Sequence, residues 1–276
     1  MPAWMLYAAS MNLLDPQAIT NFERDGAVVL RGVLTNMQLM QLELGIEENL
    51  ANLSPLAITA SESDDPGRFV EDFCTWQSNW HYEHILKESA LPWIAKELMQ
   101  SETVRLYHDH LLVKESGTRA ITPWHQDQPY YNVSGRQNVS FWIPVDPVPE
   151  KSTLRLIAGS HEGTWHMPRT FRERQAKWFP EGSLQELPNI EAEPEKYKQL
   201  AWALEPGDCI AFHMLTLHAT RGTPLGSRRR VFSARYIGDD ARHAVRPWRT
   251  SPPFEGLSSR LPDGAEMNDA LFPQLI

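Results

Sequence analysis

Along the 276 residues the spacing of apolar and polar positions changes once, near residue 103. Before that point the pattern is mostly helical. Asp15-Pro16 supplies an N-cap followed by a first-turn proline, and Asp25-Gly26 closes the short helix they open. "AVVLRGV" then reads as a strand. Thr35 and Gln38 have the spacing of a capping box, with Leu39, Leu42 and Ile46 recurring behind them, so a second helix runs to about residue 50. From Val104 onward short β-favouring runs take over: "TVRLYHDHLLVK", "NVSFWIPVDPV", "TLRLIAG", "LEPGDCIAFHM" and "RRVFSARYIG", divided by Gly, Pro and Asp turn signals. Many short strands so punctuated predict a sandwich or barrel, and a jelly roll is the version whose interior holds a ligand.

Residues 162–200 interrupt the strands with a charged, proline-containing stretch, read as a lid or rim insertion because so long a connection within a compact domain is usually functional. The expected organisation is one domain over 1–276. It comprises a mostly helical part over 1–103, a jelly-roll core over 104–240 that carries the insertion, and a C-terminal tail over 241–276 that wraps the surface.

Composition narrows the function. With 42% hydrophobic residues the chain can bury one large core. Its 26 basic and 35 acidic residues leave a formal charge of -9, which disfavours nucleic acid and anionic lipid as partners. Two cysteines, Cys74 and Cys209, are too few for a disulfide framework and fit a reducing cytoplasm. The apolar opening "MPAWMLYAASMNLLD" lacks the basic residues of a signal peptide, the first being Arg24, and no run reaches the ~20 apolar residues of a membrane span. A cytoplasmic protein is expected.

The candidate chemistry centres on "TPWHQDQPYYN". In a strand, side chains at i and i+2 leave the same face with Cα atoms roughly 7 Å apart, so His125 and Asp127 can converge on one ion. Two histidines and a carboxylate on one face of an octahedron make the facial triad of non-haem Fe(II) oxygenases, with three positions left open. His218 in "IAFHMLTLHATRG", expected at the end of a late strand just before a turn, is the best third ligand. Arg229 follows 11 residues later, and its guanidinium can clamp a carboxylate by two parallel hydrogen bonds.

These segments resemble the phytanoyl-CoA dioxygenase family of Fe(II)/2-oxoglutarate oxygenases. "FERDGAVVLRGVL" is similar to the family's N-terminal segment, "LLVKESG" with "TPWHQDQPYY" to its first metal motif, "FWIPVDPV" and "LIAGSH" to the following strands, and "HATRGTPLGSRRRVFSARYIGDD" to its distal histidine, arginine and closing strand. The resemblance implies a mainly β fold with helical elaboration, a double-stranded β-helix (jelly roll, cupin-like). It implies Fe(II) held by His125, Asp127 and His218, 2-oxoglutarate held by Arg229 with Lys114 beside it, and dioxygen as co-reactant. The implied reaction hydroxylates a C–H of a small organic or acyl substrate and releases succinate and CO2. Related halogenases replace the carboxylate ligand by a small residue, so Asp127 favours hydroxylation. The chain departs from the family at "PEKSTLRLIAGSH", where Ser152 and Thr153 stand in a stretch that often has a glycine, which bears on the turn and the pocket wall.

Other residues are open to two readings. Trp124, Tyr130, Tyr131 and Trp142 could line a substrate pocket or simply pack. Gln137, Asn138, Ser160 and His161 could face a ligand or cap turns. Eight arginines lie between residues 220 and 250, and a basic rim led by Arg221 and Arg228 would receive an anionic substrate, where the plainer reading is solvated or paired charge. Three rival functions remain: a cupin-type metal site on His108, His110 and Glu115, a metal-binding jelly roll without turnover, and a zinc hydrolase on the same triad.

Overall fold

The computed structural model describes residues 13–167, 179–180 and 182–276, so part of the expected 162–200 insertion, residues 168–178 and 181, lies outside the described residues. Two antiparallel sheets face each other. We label the elements α1 (Pro16–Asp25), β1 (Ala27–Leu30), α2 (Asn36–Ala51), β2 (Ile58–Thr59), β3 (Phe69–Phe73), α3 (Trp80–Glu88), α4 (Leu91–Met99), β4 (Arg105–Lys114), β5 (Thr122–His125), β6 (Val133–Ser134), β7 (Asn138–Pro144), β8 (Arg155–Ile157), β9 (Gln199–Leu200), β10 (Cys209–Phe212), β11 (His218–Thr220), β12 (Arg229–Ile237), β13 (Arg242–His243) and α5 (Leu257–Arg260). The large sheet runs β1-β10-β7-β12-β4-β3-β2 and the small one β5-β11-β8-β9.

The helix starts follow from their caps. Asp15 accepts from the Gln17 amide at the head of α1, and Thr35 and Gln38 complete a reciprocal capping box on α2. Alternation along β4 and β12 then gives the large sheet two different faces. Leu111, Val113, Phe232, Ala234 and Tyr236 pack outward with Leu42, Ile46, Tyr82, Ile85 and Leu98 from the helices. His110, Leu112, Lys114, Val231, Ser233 and Arg235 turn inward and line a cavity between the sheets. The helices thus bury one face and leave the other for a site.

Two boundaries differ from expectation. β1 and β3 belong to the large sheet, so the division at residue 103 cuts across a shared layer. β3, "FVEDF", gave no strand signal because acids occupy its third and fourth positions. The tail does more than wrap the surface: Leu257, Met267 and Phe272 are buried against Tyr107 and Ile237, and the Val104 and Leu106 amides donate to the carbonyls of Ile276 and Pro273. Among the described residues no helix is long and apolar enough to cross a membrane.

Candidate metal centre

His125 ends β5 and His218 opens β11, and the two are register partners across the small sheet. Their ring centroids lie 4.1 Å apart. Asp127 is not on the strand as the i, i+2 argument supposed. It sits in the turn beyond β5 with helical backbone angles, φ -75 and ψ -46, held there by its amide, which donates to the Met214 carbonyl at 2.8 Å. His218 likewise begins a strand after a turn, where the sequence suggested the end of one before it. Both corrections share one cause: the candidate ligands sit where strands of the small sheet meet turns, and turn geometry is set by distant partners.

The three ligand atoms lie within 4.8 Å of one another, and no other such cluster occurs among the described residues. Each histidine Nε2 is 3.6 Å from Asp127 Oδ1. His125 Nδ1 pairs with the Pro123 carbonyl and His218 Nδ1 with the Thr216 carbonyl, both at 2.8 Å. A carbonyl only accepts, so each Nδ1 carries the proton and each Nε2 presents its lone pair inward. Burial pushes the His218 imidazole down to about 3, keeping it neutral. Burial would raise Asp127, but the Arg235 guanidinium beside it holds it well below the usual carboxylate range. Two imidazoles whose Nε2 atoms face inward and an ionised carboxylate converging on one point fit a divalent transition metal.

Arg235, one of the eight arginines between residues 220 and 250, belongs to the site as well. It is 4% exposed, and its Nη2 and Nε donate to Asp127 Oδ2 at 3.1 and 3.3 Å, joined by the Ser140 hydroxyl at 3.4 Å. With Oδ2 occupied, Oδ1 is the oxygen left for a metal. The usable signal was spacing: Arg235 stands six residues after Arg229, an even interval that puts both on one strand face.

At the other end of the same cavity Arg229 and Lys114 are register partners on β12 and β4. Lys114 Nζ donates to the Ala120 carbonyl at 2.8 Å, the Thr220 hydroxyl at 3.0 Å and the Arg221 carbonyl at 3.2 Å. Burial and the neighbouring Arg229 pull its ammonium well below the usual lysine range. Arg229 is lowered to about 10 by burial and stays charged at neutral pH. Its guanidinium donates to the Arg221 carbonyl at 3.2 Å and to the Ser152 carbonyl. The family departure at Ser152 therefore touches the arginine that lines the cavity.

The remaining candidates separate. Trp142 lines the cavity, and the Tyr130 ring meets His125 edge-on at 6.1 Å with Phe179, the described edge of the insertion, behind it at 5.7 Å. Trp124 packs away from the cavity, donating to Glu191 at 2.9 Å. Tyr131 stacks edge-on to His108 at 5.1 Å. Asn138 accepts from the Met214 amide at 2.8 Å and Ser160 from the Leu217 amide at 2.9 Å, so both brace the turn that carries His218. Gln137 and His161 also bond backbone groups, of Asp240 and Glu23. Of the suggested basic rim, Arg228 is paired with Glu47 at 3.0 Å and Glu115 at 3.2 Å, while Arg221 is exposed. That pairing also takes Glu115 from the cupin-type reading. His110 faces the triad's cavity, and it forms no three-ligand cluster with His108 among the described residues.

A jelly roll with a buried His-Asp-His cluster at one end of its cavity and a Lys-Arg pair at the other defines the class. The phytanoyl-CoA dioxygenase (PhyH) family matches over residues 22–231, and the chain belongs to that family. No curated protein matches it. Among solved structures, the non-heme α-ketoglutarate-dependent carbocyclase SnoK of nogalamycin biosynthesis has a TM-score of 0.73 at 20% identity, over 98% of both chains. The epimerase SnoN of the same biosynthesis gives 0.72 at 19%, over 94% of this chain and 95% of that one. EctD from S. alaskensis gives 0.66 at 19%, over 87% and 85%, and has also been crystallised with Fe and with 2-oxoglutarate and 5-hydroxyectoine. At these identities the likeness is one of fold.

Proposed function

We propose that the protein is an Fe(II)- and 2-oxoglutarate-dependent oxygenase that hydroxylates a C–H of a small organic or acyl substrate. The observation that carries this is one buried cavity with the His125–Asp127–His218 cluster at one end and the Lys114–Arg229 register pair at the other. His125, Asp127 and His218 would hold Fe(II), and Arg229, with Lys114, would grip the distal carboxylate of 2-oxoglutarate. Bound iron and 2-oxoglutarate supply the oxidising chemistry, consuming dioxygen and releasing succinate and CO2.

The chain's own contribution is geometric and electrostatic. The carbonyls of Pro123 and Thr216 orient the two imidazoles, Arg235 keeps Asp127 single-ended, and Lys114 and Arg229 offset the charge of a dicarboxylate. Trp142 lines the cavity and Tyr130, backed by Phe179, packs on His125, an apolar cover that would limit water at the site. Two free thiols, Cys74 and Cys209, support a cytoplasmic location. An anionic substrate has less support than a neutral one, since Arg228 is engaged by acids.

The test is an anaerobic titration with Fe(II) and then 2-oxoglutarate, following the visible charge-transfer band of a chelated keto acid. The band is expected in the wild type, absent in His125→Ala and Asp127→Ala, and weakened in Arg229→Ala with iron still bound. Iron bound without a band, or affinity unchanged in both ligand variants, would overturn the reading and favour a zinc hydrolase or a binding protein.

A further inference from the structure

The triad, the Lys114–Arg229 pair and Arg235 leave two polar side chains of the same cavity without a task. Glu71 points into it from β3 and His110 from β4. Glu71 is 2% exposed and His110 8%. His110 Nε2 and Glu71 Oε1 are 3.4 Å apart, longer than a well-formed hydrogen bond, and the buried His110 Nε2 has no hydrogen-bond partner. The imidazole is stacked on Phe73 with ring centroids 4.0 Å apart, which fixes the plane in which Nε2 points. Across the strand His110 faces Ser233, and it lies near enough to Asp127 and Arg235 for their charges to act on it.

Building on the oxygenase reading, we propose that Glu71 and His110 form the recognition site for a hydroxyl group of the organic substrate. Buried polar groups with unspent bonding capacity are costly, so they persist where a partner completes them. A metal is not that partner, because Glu71 and His110 contribute to no three-ligand cluster among the described residues. Nor is 2-oxoglutarate, whose carboxylates and keto oxygen only accept hydrogen bonds and would be repelled by Glu71. His110 Nε2 faces the Glu71 carboxylate, which only accepts, so Nε2 carries the proton, and the missing group must donate to the carboxylate and accept from that N–H. A hydroxyl does both; an ammonium only donates and a carboxylate only accepts. Burial favours the uncharged imidazole, which suits a neutral ligand.

The test uses three probes on one skeleton: cyclohexanol, cyclohexylammonium and cyclohexanecarboxylate. Each is titrated calorimetrically into the full chain, with and without Fe(II) and 2-oxoglutarate under nitrogen. The alcohol is expected to bind tightest to the wild type. In Glu71→Leu and in His110→Phe, which keeps the stack on Phe73, its affinity should fall by about tenfold, whereas Glu71→Gln, retaining an acceptor oxygen, should stay within about threefold. The proposal is overturned if the alcohol does not bind, if either charged probe binds tighter, or if the Leu and Phe variants bind it like the wild type. Loss of the keto-acid band in folded Glu71→Leu or His110→Phe would also overturn it, by assigning the pair to the cofactor grip. A wild type that lacks the band yet binds the alcohol through this pair keeps the hydroxyl site and sinks the oxygenase reading alone.

Discussion

Asp127 depends on Arg235 as much as on its own position. The guanidinium occupies Oδ2 and leaves Oδ1 3.6 Å from both histidine Nε2 atoms. Removing it frees the carboxylate to rotate and leaves a buried anion with less compensation. Arg235→Gln should therefore cost about 10- to 100-fold in Fe(II) affinity, the range found for partners of metal ligands, with Arg235→Lys intermediate; equilibrium dialysis reads the loss and circular dichroism checks the fold. Lys114 gives a pH signature. In the proposed role its protonated form grips a carboxylate, and its affinity for protons is depressed in the folded chain. As pH rises through that depressed value the ammonium is lost, so 2-oxoglutarate affinity should fall at a pH below the ordinary lysine range near 10.4. Lys114→Met should bind more weakly at neutral pH and show no such fall; an unchanged profile would remove Lys114 from the co-substrate grip.

At the scale of elements, the site is set by turns that residues far away in sequence hold in place. The turn before His218 is pinned from the N-terminal part: the His213 amide and the Thr216 hydroxyl both donate to the Gly26 carbonyl, at 2.9 and 2.7 Å. Gly26 itself has φ +73, and a Cβ there would come within 2.4 Å of His161 Nδ1 and 2.6 Å of Thr216 Oγ1. Gly26→Ala should thus destabilise the fold by about 1–3 kcal/mol and weaken metal binding as well, because the turn it displaces carries His218. Thermal unfolding with and without metal separates the two effects. This architecture also explains what the sequence could and could not disclose. Strands β4, β7, β10 and β12 were legible because alternation is local. The convergence of His125, Asp127 and His218 was legible from the residue types and the motifs around them, although the strand geometry expected of the first two was not what brings them together. Asp127 lying in a turn, His218 opening a strand, and Arg235 reaching Asp127 were not, since each depends on contacts about 90 or more residues apart that no local pattern encodes.

For the whole molecule, the relevant quantity is a charge of -9 set against a small buried cationic pair. The two act on a dianionic co-substrate over different distances. The net charge repels it from far away, whereas Arg229 and Lys114, both nearly inaccessible, act only once it has entered. Salt screens exposed charge over a Debye length of about 10 Å at 0.1 M and affects buried pairs much less. Raising ionic strength from low to physiological should therefore speed 2-oxoglutarate association, by reducing the long-range repulsion, and leave its dissociation rate nearly unchanged. Anaerobic stopped-flow on the keto-acid band resolves both rates. Association that slows with salt would mean that exposed cations, Arg221 foremost, outweigh the acidic surface at the mouth. A basic rim would then govern entry after all, and the case for an anionic substrate would regain the ground that the pairing of Arg228 with Glu47 and Glu115 takes from it.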